Sequence, residues 1–187
     1  MSHLPVVLVG LAILGAATPY FPADVGRELE GQWAPFLSAA HEPSLRSEAQ
    51  RRAYRLVYRP SWRAPIVATV EAREGVATLR VKVLHGQGAI KPGDVAREHL
   101  RRLSDAEWDH LSEALKVGLW AEPSIQQPDV RTQDGSGCLI EGVRWGDYHV
   151  AAGWNPLSNR FRRACRAFLD LTSEDVPVTE FQELVQD

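Results

Sequence analysis

The chain has 187 residues, 44% of them hydrophobic, with 21 Lys and Arg against 24 Asp and Glu, for a net charge of −3. That length fits one domain with a short appendage, and the hydrophobic share is enough to bury a core. The near balance of charge excludes the strongly basic class of nucleic-acid binders.

From Leu4 to Thr18 the stretch LPVVLVGLAILGAAT carries no charge. Its length at ~1.5 Å per residue is about 22 Å, short of a ~30 Å hydrocarbon core. It therefore predicts a secretory segment cleaved after Ala17, where Gly15 to Ala17 supply small residues. Extension through Pro22 gives the alternative of an uncleaved anchor over residues 4–22, and a buried N-terminal helix is the third reading. The first two place the domain in the periplasm, released or held at the inner membrane. Residues 23–52 read as a linker with one short helix, SLRSEAQRRAY, capped by Ser44.

Residues 53–172 carry the domain. AYRLVYR alternates Tyr54, Leu56 and Tyr58 against Arg55, Val57 and Arg59, which predicts a strand. PIVATVEAREGVATLRVKV then holds Glu74-Gly75 between two alternating runs, a two-residue hairpin signal. Closing the turn there makes Arg73 face Val76 beside the turn, and the pairs that follow, Ala72–Ala77, Val70–Leu79, Ala68–Val81 and Ile66–Val83, form an apolar face. The other face receives Glu71–Thr78, Thr69–Arg80 and Val67–Lys82 and is expected to meet solvent. Glycines and a proline make residues 85–94 a loop, and VAREHLRRL a following strand. SDAEWDHLSEALKVG is a helix, with Ser104 and Glu107 as a capping box and Trp108, Leu111 and Leu115 on one stripe. Gly118 is expected at the left-handed position that ends it.

DGSGCLIEGVRWGDYHVAAGWNP, residues 134–156, predicts a second hairpin turning at Gly146-Asp147. Leu139, Glu141, Val143, Trp145, Tyr148, Val150 and Trp154 then share one face. Cys138, Ile140, Arg144 and His149 share the other. A helix follows from Ser158 or Asn159 through Leu171, with Phe161, Ala164, Cys165, Phe168 and Leu169 on its stripe, and residues 173–187 form an acidic tail. The expected architecture is α+β: an antiparallel sheet of five or six strands with two main helices on one face.

The chemistry in these elements is sparse. Cys138 and Cys165 are the only cysteines; they form a disulfide or remain two buried thiols. The six histidines fall in no metal-binding spacing, so neither a metal nor a cofactor is expected. Asp134-Gly135-Ser136-Gly137 lacks the full GxSxG pattern and leads into a strand, not from a strand into a helix. Glu141 is the oddity, a carboxylate on an apolar face. It is either a general acid or base or, on the favoured reading, one half of a structural pair with an arginine. His149 is weighed in the same two ways, beside Arg144. Arg73, Arg80 and Lys82 on the first hairpin, with Arg144, form a candidate basic patch for an acidic protein or anionic lipid.

RRLSDAEWDHLSEALKVGLWAEP, the hairpin stretch above and FRRACRAFLDL together resemble a family of small, exported bacterial proteins with no assigned activity. The resemblance covers residues 53–172 and implies no functional residue; TQDGSG stands where a tighter Leu-Asp-Gly turn is expected. The favoured function is non-enzymatic: a binding protein of the bacterial cell envelope, of the immunity or inhibitor kind, holding a protein partner and no nucleic acid. The alternative is a small envelope hydrolase or transferase using Glu141 and His149 as acid and base.

Overall fold

The computed structural model describes residues 19–47, 52–88, 91–126, 135–155 and 158–173. In chain order these hold helix α1 (Gly26–Ala39), a 3-10 turn (Leu45–Ser47), strands β1 (Arg52–Pro60), β2 (Ile66–Arg73), β3 (Val76–Gln87) and β4 (Lys91–Arg102), helix α2 (Asp105–Gly118), strands β5 (Ile125–Gln126), β6 (Ser136–Arg144) and β7 (Asp147–Trp154), and helix α3 (Asn159–Thr172). The fold is α+β, as the sequence predicts. One sheet runs β4-β3-β2-β1-β6-β7-β5, with two-residue β5 parallel to β7 and every other neighbour antiparallel.

The β2–β3 hairpin has the predicted register throughout, from Arg73↔Val76 to Ile66↔Val83. Glu74 and Gly75 both take positive φ, 52° and 80°, the mark of a type I′ turn whose twist matches the strands. The β6–β7 hairpin turns one residue earlier than predicted. Trp145 and Gly146 occupy the turn with φ of 47° and 90°, and Arg144 pairs with Asp147. Each partner therefore shifts by two positions, so Glu141 faces Val150 and not Ala152. A shift of two preserves the sorting of faces; only Trp145 leaves its predicted face, for the tip. Residues 85–94 are not a loop throughout, since β3 runs to Gln87 and β4 starts at Lys91. Register shifts beside Leu84 and Gly86 absorb the glycine as a bend instead of a break.

Both faces of the sheet carry core. Tyr54, Leu56, Ile66, Val70, Leu79, Val81 and Ile140 cluster with Leu111 and Leu115 of α2 and Phe161 and Phe168 of α3. On the opposite face Val57, Val67, Leu84, Leu139 and Val150 cluster with Leu29, Trp33, Phe36 and Leu37 of α1. Helix α1 lies within the residues expected to be a linker. Phe21 joins its cluster, and the Tyr20 and Phe21 amides donate to the Glu30 carboxylate at 3.0 and 3.2 Å. Tyr20 and Phe21 of the apolar N-terminal segment thus pack in the domain, while residues 1–18 lie outside the described residues, as does 174–187 of the acidic tail. Among the described residues no helix is long and apolar enough to cross a membrane.

Helix α2 opens with the predicted capping box. Its end differs from expectation. Gly118 is the last helical residue and has no positive φ; a Cβ there would collide with the Arg160 carbonyl and lie 2.7 Å from Ala164 Cβ. The glycine serves close approach of α2 to α3. Ser158 caps α3, accepting from the Phe161 amide. Arg101 of β4 ties the two helices to the sheet, pairing with Glu107 at 2.8 Å and donating to the Leu171 carbonyl at 2.9 Å. Cys138 of β6 is bonded to Cys165 of α3, inside the core on that face. In the chain-entropy account a loop of this size is worth ~3 kcal/mol. Replacing both cysteines by alanine is therefore expected to lower the unfolding free energy by about 3 kcal/mol in urea titrations. The same loss should follow reduction of the wild type, and no loss on reduction would show that the link does not constrain the unfolded chain.

Candidate functional site

Glu141 lies at the centre of a buried polar network that begins at the end of α1. His41 takes φ 53°, so the Glu42 amide reaches back to the Leu37 carbonyl and the His41 amide to that of Ser38. These are the two bonds of a Schellman stop, here built on a histidine where glycine is usual. The reversal aims Glu42 into the sheet. Arg55 of β1 waits there, 1% exposed. Its guanidinium bonds Glu42 at 2.9 Å, Glu141 at 2.8 Å, the Thr69 hydroxyl at 3.1 Å and the Pro43 carbonyl at 2.9 Å. Lys82 closes the group, 2.7 Å from both Glu42 and the Ala40 carbonyl. The Tyr148 hydroxyl donates to the second Glu141 oxygen at 2.8 Å.

Two cations and two carboxylates thus face one another under α1, with their hydrogen-bonding capacity largely met, as buried charge demands. Burial raises the Glu42 carboxyl, but Arg55 and then Lys82 outweigh it and hold Glu42 below its ordinary value. Burial dominates at Glu141 and pushes it up against the pull of Arg55 and Tyr148. The Tyr148 phenol is also driven up, by burial and by the neighbouring Glu141.

His149 is elsewhere. It pairs with Gly142 on β6, on the face opposite Glu141, as the alternation of the strands predicts. Its Nε2 lies 2.9 Å from the Glu122 carbonyl, which can only accept, so that nitrogen carries the proton. Arg144 is not its cross-strand partner; both instead flank Trp120, with the Arg144 guanidinium 4.0 Å from the indole and the His149 ring 6.0 Å away. The structure does not bring Glu141 and His149 to one site.

The basic patch is also divided. Lys82 is buried in the ion network, because α1 and the turn after it cover that part of the hairpin. Arg73 and Arg80 stay on the uncovered end of the sheet, paired with Glu71 at 3.0 Å and Glu98 at 3.5 Å. Arg144 belongs to the other face. Among the described residues no group of three His, Cys, Asp or Glu is placed to hold a metal ion.

Two surfaces escape the sequence reading. At the tip of the β6–β7 hairpin Trp145 is 80% exposed. The Arg52 guanidinium lies 5.8 Å from its ring and 4.5 Å from that of Trp108 on α2. The second surface is the outer side of α3, where Arg160, Arg163 and Arg166 recur every third residue opposite the apolar stripe. That spacing is visible in NRFRRACRAFLDL, and the arginines line a groove with α2. No protein-family model, curated protein or solved structure matches the chain.

Replacing Arg55 by Met leaves Glu141 buried with no cation and Glu42 with Lys82 alone, and is expected to destabilise the fold by about 3–5 kcal/mol in denaturant titrations. A loss under 1 kcal/mol would mean that the network does not hold α1 to the sheet. Glu42 adds a pH signature. Its folded carboxyl lies below its unfolded value, so the stability it contributes is present above about pH 4.3 and drains as pH falls through the folded value. Glu141 is raised, so its contribution has the opposite sign and is lost as pH rises. The stability gap between wild type and Glu42→Gln is therefore expected to shrink as pH is lowered from neutral to about 3. A gap independent of pH would show that Glu42 is not held low.

Proposed function

We propose that the chain is a non-enzymatic binding protein of the bacterial cell envelope, of the immunity or inhibitor kind, which engages its protein partner with the tip of the β6–β7 hairpin. Trp145 carries this reading. A bulky aromatic at positive φ is disfavoured by about 1–2 kcal/mol, and the first position of a type I′ turn is where asparagine or glycine would remove that strain. Its ring is in solvent, so the fold gains little burial in return. A strained, exposed tryptophan with a guanidinium 5.8 Å over its ring has the properties of an interface anchor. Arg52 and Trp108 provide the wall against which a partner's side chain would close.

The hydrolase alternative has less support. Acid–base chemistry needs both groups within reach of one substrate, whereas Glu141 is sealed beneath α1 and His149 is on the far side of the sheet. The envelope setting rests on the apolar N-terminal segment and on the resemblance to exported bacterial proteins. The disulfide is compatible with an oxidising compartment.

The test is the single substitution Trp145→Asn, which creates the favoured Asn-Gly turn. Thermal and urea unfolding are expected to show it as stable as the wild type or more so, by up to about 1 kcal/mol. In pull-downs from envelope extracts one protein should co-purify with the wild type and be lost from the variant. Equal capture by both baits would remove the hairpin tip from the interface. Turnover of a substrate by the purified protein, with no partner captured, would restore the enzyme reading.

A further inference from the structure

Helices α2 and α3 pack closely at Gly118 and Ala164, and residues of both line a groove of about 470 Å³. Its apolar lining is Ala114 and Val117 from α2 and Ala167 from α3. Arg160, Arg163 and Arg166 stand along one side, and His110 faces them from α2. Two carboxylates also line it, Glu113 and Asp170, but each is near a cation: Lys116 lies 3.6 Å from Glu113, and Arg166 lies 4.0 Å from Asp170. Among the described residues neither Arg160 nor Arg163 has an ion-pair partner or a side-chain hydrogen bond. Both are exposed on the polar side of a helix whose other side is fully committed to the core.

We propose that this groove is a second docking site and that its occupant is an acidic peptide segment of a partner protein, helical, with apolar side chains spaced to meet Ala114, Val117 and Ala167. Charge complementarity selects the acid: the Arg160 and Arg163 guanidiniums, unpaired among the described residues, are fork-shaped donors suited to carboxylates. Concavity selects a peptide over a lipid surface, because the apolar strip lies between the helices, where a flat bilayer does not reach and a helix laid lengthwise does. None of the groove residues belongs to the Trp145 tip, so the inference stands apart from the proposed hairpin interface.

The probe is a synthetic helical peptide carrying Glu on one face and Leu on the other, titrated by calorimetry into the full-length protein. Controls are the same peptide with Lys for Glu, and anionic vesicles of phosphatidylglycerol. The acidic peptide is expected to bind, with affinity falling as salt rises. The double variant Arg160→Gln, Arg163→Gln keeps the wild-type melting temperature, both residues being exposed, and should bind at least about tenfold more weakly. Trp145→Asn should bind the peptide as the wild type does, which separates this site from the hairpin tip. Binding of the Lys peptide equal to that of the Glu peptide would overturn the proposal. So would indifference to the two arginines, or vesicle binding that depends on them while the peptide fails. Tighter peptide binding after removal of residues 174–187 would show that the chain's own acidic tail competes for the groove, and would overturn its assignment to a partner.

Discussion

Arg55 stands at one rung of the sheet with Thr69 directly opposite on β2 and Glu141 directly opposite on β6. Its guanidinium bonds both and then reaches out of the sheet to Glu42. That geometry fixes three things together. A one-residue slip of β1 against β6 would turn Glu141 into the apolar cluster on the α2–α3 face with no cation to meet it, so the register is locked by charge as well as by hydrophobic alternation. The turn after α1 is fixed because Glu42 must reach Arg55 and Lys82. The placement of α1 follows, since Leu37 and Phe36 sit one turn before the stop.

Burial of four ionisable groups is weak evidence for stability, because well-packed apolar side chains could fill the same space with less desolvation. What the network supplies is selection among alternatives. Helix α1 has an apolar side that could settle at several places along a sheet face lined with Val57, Val67 and Val150; a cation pair awaiting one carboxylate singles out one of them. Arg59 adds a second tie, its guanidinium 4.8 Å from Trp33 and 4.4 Å from Phe36 while it donates to the Gln32 carbonyl at 2.7 Å. Burial pushes Arg59 down to about 10, still charged at neutral pH. The acid that looks most like a catalyst in the sequence is bonded into the architecture, to Arg55 and Tyr148.

What the sequence discloses and what it hides divide along the range of the interactions. The β2–β3 register, the α2 capping box and the start of α3 at Ser158–Asn159 are local, governed by residues within a few positions of one another, and the reading of them holds. The prediction for the second hairpin is off by one residue because turn propensity favours Gly-Asp over Trp-Gly, whereas the β6–β7 pairing of Arg144 with Asp147 puts Trp145 in the turn at a cost in strain. Lys82 reads as solvent-facing because its strand alternates cleanly; only α1, some forty residues earlier in the chain, buries it. Helix α1 itself is obscured by Pro35 and by a weakly periodic composition. Glu42, in the plain run HEPS, has no local signal at all: its importance exists only once the chain has brought Arg55 and Lys82 around it. The arginine row on α3 is legible in NRFRRACRAFLDL, though the apolar stripe on the other side of that helix is the stronger periodic signal.

The net charge of −3 likewise conceals the feature that matters for association. A total says nothing about distribution, and attraction depends on the local field within a Debye length of about 8–10 Å. Around the α2–α3 groove arginines dominate, whereas at the hairpin tip one arginine lies between two indoles. These arrangements do different physical work. Exposed, screened charges mainly raise encounter rates and exclude wrong partners, and contribute little to the lifetime of a complex. A tryptophan that becomes fully desolvated contributes mainly to that lifetime. Keeping both buried acids, Glu42 and Glu141, for the fold while a strained indole and the Arg160 and Arg163 guanidiniums stay in water is the division of labour that the proposed binding role requires.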